Sequence, residues 1–318
     1  MARILIVTPA RPGARNGNRH TAYRWAAFLR LAGHQVRIAQ EWDGGPSDLL
    51  IALHAYRSHS AIVGYRERYP GGPLIVVLTG TDLYQDLPAS REARESLEMA
   101  DRVVVLQSDA KSLLKTSLRP KTRVVYQSAA PSVRQAPPDR TFRIAVVGHL
   151  RKVKDPFRVA RALEYVDAEV EVVQIGDALA PEYAAQARRY MRRDARYRWL
   201  GGRTHRQTLG WIARSHVLVV SSLMEGGANV IAEAARIGTP VLASRMSGNL
   251  GMLGRDYPGY FAMLDSRALG RMIARSVKDR KFMQALTRAL AARRALFAPA
   301  AERAAIGRVV REALRGGA

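Results

Sequence analysis

The chain has 318 residues, 47% of them hydrophobic and none of them cysteine. That length is enough for two cores, and the missing cysteine excludes disulfides, thiolate zinc sites and thiol nucleophiles. Fifty-one Lys plus Arg against 27 Asp plus Glu give a formal net charge of +24, which suits nucleic acid, anionic lipid or a phosphorylated small molecule. Arginines occur in nearly every segment, with a modest cluster at Arg188, Arg189, Arg192 and Arg193, so most of the charge reads as a solvated surface. No run approaches roughly eighteen apolar residues, the length of a membrane span, and residues 3–8 read as a first strand rather than a signal peptide. A cytoplasmic protein without stable membrane association is expected.

Taken in order, residues 3–8 form a buried strand ended by Pro9. A loop carrying Asn16, Gly17 and Asn18 leads into a helix on which Thr21, Trp25, Phe28 and Leu29 fall at helical spacing before Gly33. Strands follow at 36–39, 48–53 (ending at His54), 74–78, 102–106 and 123–126. Helical stretches are expected near 58–68, 91–99 and 109–116. The apolar strands alternating with helices predict a doubly wound parallel sheet of Rossmann type. Ser128 to Asp139 contains Pro131, Pro137 and Pro138 and no periodicity, which marks a domain boundary.

A second α/β series starts at Arg143 to Val147, and Pro156 suits the first turn of the helix that follows. Strands are expected at 170–175, 197–200, 217–220 and 241–243, with helices at 181–193 and 204–214, another from about Ala228 to Gly238, and two more across 266–297. Pro299 reads as a break before a last helix at 302–314. The division is then an N-terminal domain at 1–128, a linker at 129–141, a C-terminal domain at 142–298, and a segment 299–318 that packs back on the first domain.

The chemistry gathers where the apolar run Val217 to Val220 enters Ser221-Ser-Leu-Met-Glu-Gly-Gly-Ala-Asn-Val-Ile-Ala-Glu233. A strand, a Gly-Gly turn and a helix start direct backbone N–H groups at an anion. Glu225 and Glu233 are suited to accept hydrogen bonds from sugar hydroxyls on either side of it; the plainer alternative is a strand-turn-helix corner with one solvated glutamate. In Gly148-His149-Leu-Arg151-Lys-Val-Lys154, Arg151 and Lys154 are placed to neutralise a pyrophosphate and to favour a leaving nucleoside diphosphate. Arg203 and the segment Gly226, Gly227, Ala228, Asn229 and Val230 belong to the same strand-end set. In the first domain His54 is a general base, a hydrogen-bond donor or a purely structural histidine. Gly80, Thr81 and Asp82 form either an acceptor site or a turn with a helix cap. No HExxH, Asp-x-Asp or Cys-His spacing appears, nor a dinucleotide or P-loop glycine pattern, so a metal-independent transferase without a cofactor is expected.

The span Glu225 to Glu233, with two Rossmann-like domains, resembles the E-x7-E glycosyltransferases of GT-B fold, in which the domains face a cleft. The resemblance implies that Glu233 holds the ribose, that Glu225 contacts the donor sugar, and that residues 226–230 contact sugar and phosphate. The family's G-R-L-x-x-x-K turn is matched by Gly148, Leu150 and Lys154, with His149 at the arginine position and Arg151 as the proposed substitute. The segments 16–25, 78–83 and 148–156 are most similar to selenosugar synthases of selenoneine biosynthesis. That branch implies transfer of a sugar from a UDP-sugar such as UDP-N-acetylglucosamine to selenophosphate, with a carbon–selenium bond formed. The acceptor would sit near Asn16, Gly17, Asn18, Thr21, Gly80, Thr81 and Asp82, where basic surroundings favour a small anion. The alternatives are a lipid or carbohydrate acceptor and, further off, a nucleic-acid or polyanion binder.

Overall fold

The structure, a computed structural model, describes residues 1–10, 17–130 and 135–316. The chain divides into two compact units, Met1–Gln127 with Pro299–Ala318, and Ser128–Ala298.

In the first unit β1 (Arg3–Val7), β2 (Gln35–Ala39), β3 (Leu49–Leu53), β4 (Leu74–Leu78), β5 (Arg102–Val105) and β6 (Thr122–Val124) form a six-stranded sheet in the order β2-β1-β3-β4-β5-β6. Every pairing is parallel. The inner strands are apolar throughout because both faces are covered, and successive side chains go to opposite faces. Leu5, Leu50, Val76 and Val103 pack with Ile62, Tyr65 and Leu97 from the helices His59–Arg68 and Arg91–Met99. Ile4, Ile51, Ile75 and Val104 pack with Trp25 of the helix Gly17–Leu31 and with Ile306 and Val310 of the helix Pro299–Gly316.

The last helix is held by more than apolar contact. Glu302, 1% exposed, accepts a hydrogen bond from Trp25 Nε1 at 2.7 Å and pairs with Arg24 Nε at 2.8 Å. Pro299, read in the sequence as a break, is the first helical residue, a position where its missing N–H costs nothing.

Two other local expectations change. Gly17 and Asn18 lie in the first helix rather than in the loop before it, while Asn16 lies outside the described residues. The stretch expected as a helix over 109–116 consists of short 3-10 turns, Asp109–Leu113 and Thr116–Leu118. Leu114 turns extended between them and buries its side chain.

In the second unit β7 (Phe142–Val147), β8 (Val170–Ile175), β9 (Tyr197–Trp199), β10 (Val217–Val220), β11 (Val241–Ser244) and β12 (Tyr260–Phe261) are ordered β12-β11-β10-β7-β8-β9. These pairings are parallel too. The chain lays β8 and β9 to one side of β7, then returns to place β10 on the other. The strand order therefore reverses between β7 and β10, and a crevice opens outside the carboxyl ends of these two strands. The helix Ser247–Leu253 and β12 have no counterpart among the elements expected from the sequence. Gly248, Asn249 and Gly251 are poor helix formers, and burial of Gly248, Asn249 and Met252 overrides that preference. Pro156 stands before the short helix Arg158–Ala162 rather than in its first turn.

Candidate active site

The loops leaving β7 and β10 meet at this reversal. Leu223 N donates to Val153 O at 2.8 Å, and Ser221 Oγ donates to Asp155 O at 2.9 Å. Asp155 takes a left-handed backbone, φ 42°, after a single 3-10 turn, Lys152–Lys154. It is held there by Arg158, whose Nε lies 2.6 Å from its Oδ2. This turn brings Lys154 across to Glu225: the ammonium donates to Glu225 Oε1. Ser222 Oγ donates to the same oxygen at 2.6 Å. Glu225 keeps 10% side-chain exposure and Lys154 22%, so the pair is largely removed from water and weakly screened.

The backbone behind Glu225 is equally constrained. Gly248 presses against it so closely that a Cβ there would lie 2.1 Å from Glu225 O. Ser244 Oγ donates to Ser222 O at 2.6 Å, and Asn249 Nδ2 donates to Ser244 Oγ at 3.1 Å. A chain of buried hydrogen bonds thus runs from Asn249 to the carboxylate of Glu225, each member ordering the next.

Gly226 and Gly227 pass from Glu225 to Ala228, the N-cap of the helix Asn229–Ile237. Ala228 supplies no side-chain acceptor, so the first N–H groups of that helix are open to an anion. Val230 is buried in its first turn. Asn229 Oδ1 is buried without a hydrogen-bond partner. Glu233, one turn on, is 13% exposed and accepts from His205 Nε2 at 2.9 Å.

His149 follows β7 where the chain is pinched against the end of β8. A Cβ on Gly176, whose φ is +145°, would sit 2.1 Å from Gly148 O. His149 Nδ1 is buried without a hydrogen-bond partner, 4.0 Å from Asp177 Oδ2. Arg151 and Arg203 are both exposed, and Arg203 donates to the neighbouring Gly202 O at 2.8 Å. Of the two cations expected to share a phosphate role, only Lys154 is locked to Glu225.

In the first unit the reversal lies between β1 and β3, and the polar groups there are mostly occupied. Asp82 is fully buried, and its carboxylate accepts from Gly80 N at 2.7 Å, Thr79 N at 2.8 Å and Ala55 N at 3.2 Å. It ties the loop after β3 to the loop after β4 rather than facing a ligand. Thr21, 1% exposed, donates to Gly17 O at 2.9 Å and accepts from Gln127 Nε2, so its hydroxyl also serves the fold.

His54 adopts a left-handed backbone, φ 80°, and is 1% exposed. Burial pulls its pKa down, the nearby Asp82 charge opposing, so the ring is neutral near pH 7. Its Nδ1 accepts from Arg57 N at 3.2 Å, which puts the proton on Nε2. Nε2 then faces Thr81 Oγ1 at 3.1 Å and Asp86 Oδ2 at 3.6 Å. In this arrangement His54 is a donor, one of the three roles the sequence left open for it.

Ser222, Asp86 and His205 are not among the residues expected from the sequence. Ser222 was within reach, three residues before Glu225. The other two are joined to the site only by tertiary contacts, and no local spacing signals them.

Residues 132–293 match the family described as Glycosyl transferases group 1. The chain belongs to that family. This glycosyltransferase is also similar over its length to solved structures of GT-B fold. Against Anabaena HepE in complex with UDP and glucose, the TM-score is 0.76 at 16% identity, covering 98% of this chain and 100% of that one. Against sucrose-phosphate synthase from Thermosynechococcus elongatus it is 0.79 at 18% identity, covering 98% of each. Against the lipopolysaccharide outer core galactosyltransferase WaaB it is 0.73 at 14% identity, covering 98% of this chain and 99% of that one. Likeness at such identities establishes the fold.

Among the described residues no helix of the glycosyltransferase is long and apolar enough to cross a membrane. Nor, among them, do three or more His, Asp or Glu side chains gather where they could hold a metal ion.

Proposed function

We propose that the chain is a cytoplasmic selenosugar synthase that transfers N-acetylglucosamine or glucose from a UDP-sugar to selenophosphate, a step of selenoneine biosynthesis. The selenium lone pair forms the anomeric C–Se bond, and the anomeric C–O bond breaks with its electrons leaving on UDP. The immediate product carries the phosphate on selenium.

The observation that carries the donor half is the joining of Lys154, Glu225 and Ser222 beside an uncapped helix start, with Glu233 further along the same helix. Lys154 and the N–H groups of Asn229 and Val230 stabilise the charge that grows on the departing diphosphate, with Arg151 and His149 at its edge and no metal required. Glu225 accepts from the donor sugar and Glu233 from the ribose. UDP bound to HepE, a protein of the same fold, supports uracil as the base. The acceptor half is supported by the net charge of +24 and by the likeness of segments 16–25, 78–83 and 148–156 to selenosugar synthases. Gly17, Asn18 and Thr81 would hold the anion, because the Gly80 N–H is already given to Asp82. An anionic selenium nucleophile needs positioning more than deprotonation, which suits a donor His54.

A second reading is a carbohydrate or lipid hydroxyl acceptor. It is favoured by Asp86, a partly exposed carboxylate beside His54 of the kind that takes a hydroxyl proton.

The deciding experiment supplies selenophosphate with UDP-N-acetylglucosamine or UDP-glucose and measures UDP release and selenium-bearing sugar by mass spectrometry. Both products are expected. Glu225→Ala should lower turnover, and Glu233→Ala should chiefly weaken UDP-sugar binding. UDP release that requires a hydroxyl acceptor and yields no selenium product would replace the first reading with the second.

A further inference from the structure

We propose that His205 is a positioning residue for Glu233, holding its carboxylate in the orientation presented to the ribose of the sugar nucleotide. The proposal rests on the reading of Glu233 as the ribose acceptor.

His205 Nε2 lies 2.9 Å from Glu233 Oε1. An ionised carboxylate only accepts, so Nε2 carries the proton whether the ring is neutral or cationic. Glu233 is 13% exposed while His205 is 70% exposed. Their contact therefore lies where a nearly buried carboxylate reaches the surface, and one of its two oxygens is already taken.

The imidazole is not on a loose loop. His205 is the first residue of the helix His205–Ala213, and Thr204 before it makes a full capping box. Thr204 Oγ1 accepts from Gln207 N at 3.3 Å, and Gln207 Oε1 accepts from Thr204 N at 3.0 Å. Such a cap holds the first helical residue in place, and this helix packs on the helix Asn229–Ile237 that carries Glu233.

Two structural elements therefore meet through one hydrogen bond. With Oε1 held by the imidazole, the carboxylate is ordered and Oε2 is left to accept from a ligand. A ribose hydroxyl then meets an acceptor that is already ordered, which reduces the entropy lost on binding.

The test measures calorimetric affinity for UDP and for 2′-deoxy-UDP in the full-length protein. The wild type should prefer UDP by roughly tenfold or more, as expected for a hydrogen bond to a charged acceptor. In His205→Ala the preference should shrink to about twofold or threefold, with affinity for 2′-deoxy-UDP unchanged, because only the ordering of the acceptor is lost. His205→Gln, whose amide N–H replaces the imidazole donor, should restore the preference. A wild-type preference in His205→Ala would overturn the proposal, as would failure of His205→Gln to restore it. Glu233→Ala separates the two layers: a full preference there would remove the ribose reading itself. Loss of preference in Glu233→Ala with none in His205→Ala would remove only the role of His205.

Discussion

Lys154 and Glu225 form an ion pair between the loop that leaves β7 and the loop that leaves β10. The cation proposed for the departing diphosphate and the acid proposed for the donor sugar are thereby held as one unit, with Ser222 donating to the same oxygen. Charges this little exposed interact strongly, and each leaves the other poorly compensated when removed. Lys154→Ala should lower kcat by about 100-fold, the scale of losing one transition-state charge contact. A double-mutant cycle of Lys154→Ala and Glu225→Ala on unfolding free energy should show about 1–3 kcal/mol of coupling. Additive single-mutant effects in chemical denaturation would show that the pair is not a unit.

Gly248 separates catalytic geometry from stability. The Cβ of an alanine there would collide with Glu225 O, 2.1 Å away, and backbone atoms cannot swing aside as a flexible side chain can. The helix Ser247–Leu253 or Glu225 must shift. Gly248→Ala should lower kcat more than 10-fold, as expected for a misplaced reacting group, while the unfolding free energy falls by about 1–3 kcal/mol, the cost of overpacking. Steady-state kinetics beside a denaturant melt would check this. Unchanged kcat with a large stability loss would contradict it.

The last helix is expected to be indispensable to the first unit. Glu302 is buried against Trp25 Nε1 and Arg24, and Ile306, Val309, Val310 and Ala313 join the core on that face of the sheet. Glu302→Ala should cost about 3–5 kcal/mol, the scale for breaking a buried charged contact. Truncation before Pro299 should leave the first unit unable to fold cooperatively. Thermal melts and proteolysis of the two variants are the measurements, and a truncated chain that still melts as the wild type would refute the prediction.

The histidines give opposing pH dependences. His34, His54 and His216 are held below the ordinary histidine range chiefly by burial, whereas the hydrogen bond that His205 donates to Glu233 raises the pKa of His205. For the lowered group the unfolded chain binds more protons once pH falls through about 6.5. Its stabilising contribution is therefore present above that value and lost as the pH falls towards the folded pKa. His205 has the opposite sign: its contribution is present below about 6.5 and lost as the pH rises through the raised value. The Tm should fall between about pH 7 and 5, and His54→Asn should flatten that fall, because asparagine tolerates the left-handed backbone. His205→Gln should lessen any decline on the alkaline side. Melts across this range would test both signs, and an unchanged acid slope in His54→Asn would exclude burial of this ring as its source.

Much of the architecture was legible in the sequence because local composition decides it. Apolar runs such as Leu74 to Leu78 and Val217 to Val220 have one stable use, as strands covered on both faces. Glycine and proline between them punctuate the chain. The Glu225 to Glu233 span announced a strand, a turn and a helix start in the right order, and Lys154 followed a strand at a spacing that reaches them. Sequence spacing alone also placed His54 and Thr81 at the ends of strands.

Only the tertiary structure decided what those residues do with their hydrogen bonds. Asp82 and Thr21 look like ligand contacts in the sequence, yet backbone N–H groups and Gln127 occupy them. His54 suits a base or a donor by its sequence, and the N–H of Arg57 makes it a donor. Ser222, Ser244 and Asn249 are ordinary in the sequence and become a hydrogen-bonded chain behind Glu225, while His205 reaches Glu233 across 28 residues. Hydrophobic patterning is local and repeats with the period of the backbone. A buried polar group is satisfied by whichever donor or acceptor the fold brings within about 3 Å, and that partner is set by packing rather than by distance along the chain.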